Sequence, residues 1–128
     1  MGAEIEIYLE IQYTKNSMIP FETSDWSSVP ANEHKGETGV ALWRTRQYGK
    51  IRVRLVDYSP GYKADHWCSK GHIIYCAEGE FTAHLKDGNT YLLKKGMSYQ
   101  TTDDIENPHM STSETGCKLF IVDGDFLK

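Results

Sequence analysis

No stretch of the chain stays apolar for the roughly 18 to 20 residues that a bilayer-spanning helix needs, so the sequence offers no transmembrane candidate. The opening "MGAEIEIYLEIQYTK" alternates acidic and apolar residues where a signal peptide would carry one continuous apolar region, and the expected location is the cytoplasm. Cysteine is scarce and odd in number: Cys68, Cys76 and Cys117 are scattered, which argues against a disulfide framework and leaves thiols free for metal or redox chemistry. Basic residues are outnumbered 14 to 18, with no basic run and no aromatic-basic interleaving, so nucleic acid is not an expected partner. Helical periodicity is hard to find anywhere. At 128 residues there is room for one domain with a real core and little for a second.

What the chain does contain is a succession of short alternating segments separated by Gly, Asp, Asn and Pro, and the expected class is all-β. In the first segment Ile5, Ile7, Leu9, Ile11 and Tyr13 share one face and Glu4, Glu6, Glu10 and Gln12 the other, the pattern of a half-buried strand. Residues 16 to 38 carry two prolines and many small polar residues, and read as an irregular arm over the sheet, pinned by Trp26. Further strands are expected near residues 39 to 46, 50 to 58, 72 to 77, 80 to 86, 89 to 94, 97 to 101 and 116 to 122. The "KDGN" between the 80 to 86 and 89 to 94 pair is a strong hairpin signal. Strands this short and this frequent imply a sandwich or small barrel. The chain divides into a strand and arm, residues 1 to 38, and a barrel, residues 39 to 128, within a single domain.

One segment, "ADHWCSKGHIIYCAEGE", carries candidate chemistry, because His66, Cys68 and His72 fall within seven positions. On a regular strand His66 and Cys68 point the same way, about 6.6 to 6.8 Å apart at the backbone. The "SKG" that follows permits a turn that brings His72 alongside, and His109 stands just past Pro108 at the start of another candidate strand. Imidazole binds Zn, Fe, Ni and Cu, and thiolate binds Zn, so three histidines and a cysteine form a coherent donor set. The competing reading makes Cys68 a small buried hydrophobe and satisfies His66 and His72 with backbone carbonyls.

The order of these residues resembles the cupin superfamily. "PGYKADHWCSKGHIIYCAEGEF" is similar to its first motif and "LKKGMSYQTTDDIENPHMS" to its second, and "DHWC" with "SPGY", "KGHI" and "GMSYQ" resembles the DHCW-motif cupin-fold proteins. The resemblance covers roughly residues 39 to 123. It implies a double-stranded β-helix, that is, a jelly-roll barrel, with metal ligands inside it. By position it places His66 at the first histidine, Cys68 at the second, His72 at the glutamate and His109 at the histidine of the second motif. Cys68 and His72 depart from the general pattern, and the softer set favours Zn, Fe, Ni or Cu over manganese, with zinc preferred. Four protein ligands would close a tetrahedral zinc site, whereas a five- or six-coordinate ion leaves room for chemistry.

Among the remaining residues, Asp65 either orients a ligand histidine or ends a loop, and Trp67, Cys76 and Cys117 read as packing. His84 and His34 read as solvent-side. Arg44, Arg46, Arg52 and Arg54 are either solvated on an outer face or, if inside, able to hold a substrate carboxylate. Tyr99 and Gln100 lead toward His109 with no direction legible. The function this supports is a metal-binding cupin that binds or transforms a small polar metabolite, with oxygenase or isomerase chemistry as the family-level expectation. The alternatives are a non-catalytic small-ligand or metal-sensing module, or a metal-free structural cupin. A homodimer, with the opening strand paired to a second copy, is the expected assembly.

Overall fold

A computed structural model describes residues 19–128. The expected strand at residues 5 to 13 lies outside the described residues. Nine strands follow in order: β1 (Asn32–Lys35), β2 (Val40–Tyr48), β3 (Ile51–Tyr58), β4 (Tyr62–Lys63), β5 (His72–Leu85), β6 (Thr90–Lys94), β7 (Ser98–Thr101), β8 (His109–Ser113) and β9 (Cys117–Gly124). They pair antiparallel in the order β1-β2-β3-β9-β5-β8-β4, with β6 and β7 also on β5. The all-β expectation holds, and the sheet curls into a jelly-roll barrel.

β5 makes the curl. Its first half pairs with β7 and β9, and its second half with β6 and β8, so one 14-residue strand belongs to both sheets. The two strands expected at 72 to 77 and 80 to 86 are therefore one. A register shift between Cys76 and Glu78 inserts an extra residue, and a bulge bends a strand without ending it. It also reverses the alternation: His72, Ile74 and Cys76 are buried before it, Phe81 and Ala83 after it. At this corner Gly79 has φ +73°, and a Cβ there would stand 2.3 Å from the carbonyl oxygen of Gly116, so the close approach of β9 requires glycine.

The "KDGN" turn forms as expected, with Gly88 at φ +97° joining β5 to β6. The arm is less irregular than its composition implies. Residues Asn32–Lys35 form the edge strand β1, which carries no alternation because all four side chains are exposed. Trp26 meets Phe120 edge to face at 6.3 Å, and Val29, 7% exposed, is the arm's buried anchor.

The core is built from the inward faces of β2, β3, β5 and β9: Ala41, Val56, Ile74, Cys76, Phe81, Leu119 and Ile121. Burying each larger side chain contributes on the order of 1.5–3 kcal/mol. The same inward face of β3 carries Arg52 and Arg54, and that of β9 carries Asp123, so the apolar lining gives way to charge toward one end of the barrel.

Candidate metal centre and its cavity

Three of the four candidate ligands meet, two delivered by one bridge and the third by a turn. Cys68 and His109 form an isolated antiparallel bridge, Cys68 donating to the His109 carbonyl at 2.7 Å and His109 donating back at 2.9 Å. Residues opposed in this way project their side chains to the same side. The turn after Cys68 is fixed by the loop beyond β7: the Gly71 N–H donates to Asp103 at 2.6 Å and the Asp104 N–H to the Ser69 carbonyl at 2.9 Å. This returns the chain at His72, the first residue of β5.

The result places Cys68 Sγ 3.6 Å from His72 Nε2, and the donor atoms of Cys68, His72 and His109 all lie within 4.8 Å of one another. Tetrahedral zinc with bonds of about 2.0–2.3 Å sets a sulfur-to-nitrogen edge of about 3.6 Å. His72 and His109 cross at 72° with ring centroids 5.0 Å apart, and both are buried. His109 Nε2 is buried with no hydrogen-bond partner among the described residues. A buried imidazole nitrogen free to coordinate, beside a thiol and a second imidazole, makes a donor set that fits a soft divalent cation.

His66 sits differently. Asp65 and His66 form a bend rather than a strand, so the alternation expected to align His66 with Cys68 does not operate there. Its side chain is 72% exposed, and its Nδ1 is 2.6 Å from Asp65, while the residue contributes to the wall of the same cavity. Asp65 thus orients a histidine, and that histidine is His66.

Asp123 is the functional residue that sequence reasoning passed over. Its Oδ2 accepts from His72 Nδ1 at 2.8 Å, Arg54 Nη2 at 2.7 Å and Arg52 Nη2 at 3.0 Å, and its Oδ1 from Arg52 Nε at 2.9 Å. Donating Nδ1–H to a carboxylate fixes the ring orientation of His72 and aims its Nε2 at Cys68 Sγ. The signal was available: Asp123 has the parity of Cys117, Leu119 and Ile121 along β9, all of which are buried.

These contacts set the charges. Burial pushes the Cys68 thiol up, but the imidazoles of His109 and His72 outweigh it and bring the group down to about 5. Burial lowers His72, yet its hydrogen bonds to Asp123 and Cys68 raise it overall. Asp123 is disfavoured by burial and still held well below the usual carboxylate range by His72, Arg52 and Arg54. Cys117, by contrast, is pushed up to about 12 by burial and is an inert thiol.

The three donors line a cavity of about 180 Å³ whose other walls include Trp43, Arg52, Arg54, Val56, Tyr58, Ile74, Tyr99 and Ile121. Of the four arginines, Arg52 and Arg54 face inward, while Arg44 pairs with Asp57 on the opposite face of the sheet. Tyr99 lines the cavity and Gln100, next along β7, is exposed. Cys76 and Cys117 pack in the core as expected. His84 bonds Thr112, His34 stacks on Trp43 at 3.7 Å, and Trp67 lies under Lys86.

No family model matches the chain, and no curated protein matches it. Solved structures do. One described as a predicted oxalate decarboxylase from Thermotoga maritima superposes with a TM-score of 0.67 at 16% identity, over 80% of this chain and 98% of that one. An RmlC-like cupin from Shewanella frigidimarina gives 0.63 at 17% identity, over 82% and 91%. A sugar phosphate isomerase from a cupin superfamily of Silicibacter pomeroyi gives 0.64 at 14% identity, over 80% and 75%. Likeness at this identity establishes the fold, and the chain is a cupin-fold protein. Among the described residues no helix is long and apolar enough to cross a membrane.

Proposed function

We propose that this cupin-fold chain holds a divalent transition metal through Cys68, His72 and His109, and that it binds or transforms a small polar metabolite in the adjoining cavity. One observation carries the reading: three donor atoms within 4.8 Å of one another, one of them a buried imidazole nitrogen with no hydrogen-bond partner among the described residues. Zinc is the preferred ion, with iron, nickel and copper compatible with the same donors. Three protein donors would leave a fourth tetrahedral position open, as in reactive rather than purely structural zinc sites. His66 is assigned to the rim, paired with Asp65, and is dispensable for metal retention.

When bound, such an ion supplies Lewis acidity to an oxygen donor of the ligand. The chain's own residues supply the rest. Asp123 fixes the tautomer of His72, and the imidazoles of His109 and His72 lower the Cys68 thiol and favour its thiolate. Val56, Ile74 and Ile121 limit water in the cavity. Chemistry of the oxygenase or isomerase kind is the class we assign, the second in keeping with a solved neighbour described as a sugar phosphate isomerase.

We assign the chain to the cytoplasm, because all three cysteines are free. We also assign it a homodimer, supported by the exposed Ile73, Tyr75 and Phe120 on the outer face of β5 and β9. The experiment for the site is the metal content of protein purified without added metal. Cys68→Ser and His109→Ala are expected to lose the ion and His66→Ala to keep it. Equal content in all of them would refute the assignment.

A further inference from the structure

The cavity carries more polar capacity than a metal uses. Asp123 is saturated by four hydrogen bonds, three of them from Arg52 and Arg54, so two guanidiniums share a single carboxylate. Arg52 takes both oxygens in a fork. Arg54, only 4% exposed, takes one oxygen through one N–H, and its Nε is buried with no partner among the described residues. A second orphan stands in the same wall: the Tyr99 hydroxyl is buried and has no hydrogen-bond partner among the described residues. Buried donors are seldom left without acceptors, and a buried cation seldom without a counter-charge. Trp43 covers the Arg54 guanidinium at 4.3 Å, which holds its plane in place but accepts no hydrogen bond at Nε.

From this wall we propose that the ligand is a small organic monocarboxylate, its anion received by Arg54 and the Tyr99 hydroxyl and its body lying against Val56, Ile74 and Ile121. The inference deepens the proposed function, since it rests on this cavity being the binding site. Two features choose the class. A planar guanidinium matches a planar carboxylate. The apolar part of the wall suits a short carbon skeleton, and a volume of about 180 Å³ keeps it small.

The test is calorimetric titration of the full chain, metal-loaded and metal-stripped, with acetate, pyruvate and benzoate, each against its amide, and with inorganic phosphate. At least one acid is expected to bind at least about tenfold more tightly than its amide, as expected when a charged hydrogen bond is lost. Tyr99→Phe should weaken that acid by about three- to tenfold, and Arg54→Lys by at least about tenfold, with Arg44→Gln, on the opposite face of the sheet, unchanged. Should Arg54→Lys fail to fold, Tyr99→Phe, which removes one oxygen, decides alone. Acid and amide binding alike, no acid binding, phosphate binding more tightly than every acid, or full affinity in Tyr99→Phe would overturn the inference. Metal content measured on the same samples separates the two readings. Acid binding to a chain that retains no ion removes the metal and leaves the carboxylate pocket, and the reverse removes the pocket and leaves the metal.

Discussion

Replacing Asp123 with Asn tests how the site is held together, because the side chain keeps its shape and loses its charge. The carboxylate accepts four hydrogen bonds, three at Oδ2 and one at Oδ1. An asparagine has one oxygen, so its best orientation keeps that oxygen toward His72 and both arginine Nη2 groups and turns its NH₂ against Arg52 Nε, donor to donor. Removing one partner from a buried charge cluster costs about 3–5 kcal/mol. Arg52 is partly exposed, with a side chain at 34%, so the lower figure applies. At about 3–5 °C per kcal/mol for a chain this long, the midpoint of thermal unfolding should fall by roughly 10 °C or more in chelator-treated protein. Zinc affinity, read by competition with a chromophoric chelator, should drop about 10- to 100-fold because His72 loses its orienting carboxylate.

The pH dependence has a definite sign. A carboxyl held below its unfolded value of about 3.9 stabilises the fold above that pH and loses its contribution as pH falls toward the folded value. The gap between wild type and Asp123→Asn should therefore narrow below about pH 4. A variant melting within 2 °C of wild type and binding zinc within about twofold would show that Asp123 neither compensates the arginines nor orients His72.

Other outcomes follow from the same geometry. With its thiol near 5, Cys68 in metal-stripped protein should react with iodoacetamide at a rate nearly constant from pH 6 to 8, while Cys76 and Cys117 stay unlabelled in the fold and zinc protects Cys68; peptide mass mapping reads this, and equal labelling of all three would contradict the assigned environments. Gly79→Ala should lower stability by at least about 2 kcal/mol in urea titration, from positive-φ strain and the clash with Gly116. A chain beginning at Met18 should lose the dimer assigned to the full chain in light scattering, and a truncated chain that stays dimeric would remove the exchange of residues 1 to 17.

The positions of the strands were legible because short alternating segments are set apart by turn residues, and β2, β3 and β9 formed near residues 39 to 46, 50 to 58 and 116 to 122 as expected, whereas the inward face of β3 was not, since it carries Arg54 beside Val56. The edge strand β1 was not, since four exposed residues carry no alternation, and the bulge at Cys76 to Glu78 was invisible because it reverses parity without a break in composition. Cys68, His72 and His109 were found by donor chemistry. His66 was placed with them on the assumption of a regular strand, where the chain has a bend. Asp123 went unnoticed although its parity marked it as inward, because an acid near the chain's end reads by habit as solvated, and only the opposing arginines of β3, 71 and 69 residues earlier, make its burial tolerable.

The central claim is that Cys68, His72 and His109 together hold an ion. Mass-spectrometric metal analysis of the protein and of Cys68→Ser, purified without added metal and shown to be folded, tests it most directly. The account predicts close to one zinc, iron, nickel or copper per chain in the first and a small fraction of that in the second; the same content in both, or none in either even after zinc is supplied, would contradict it.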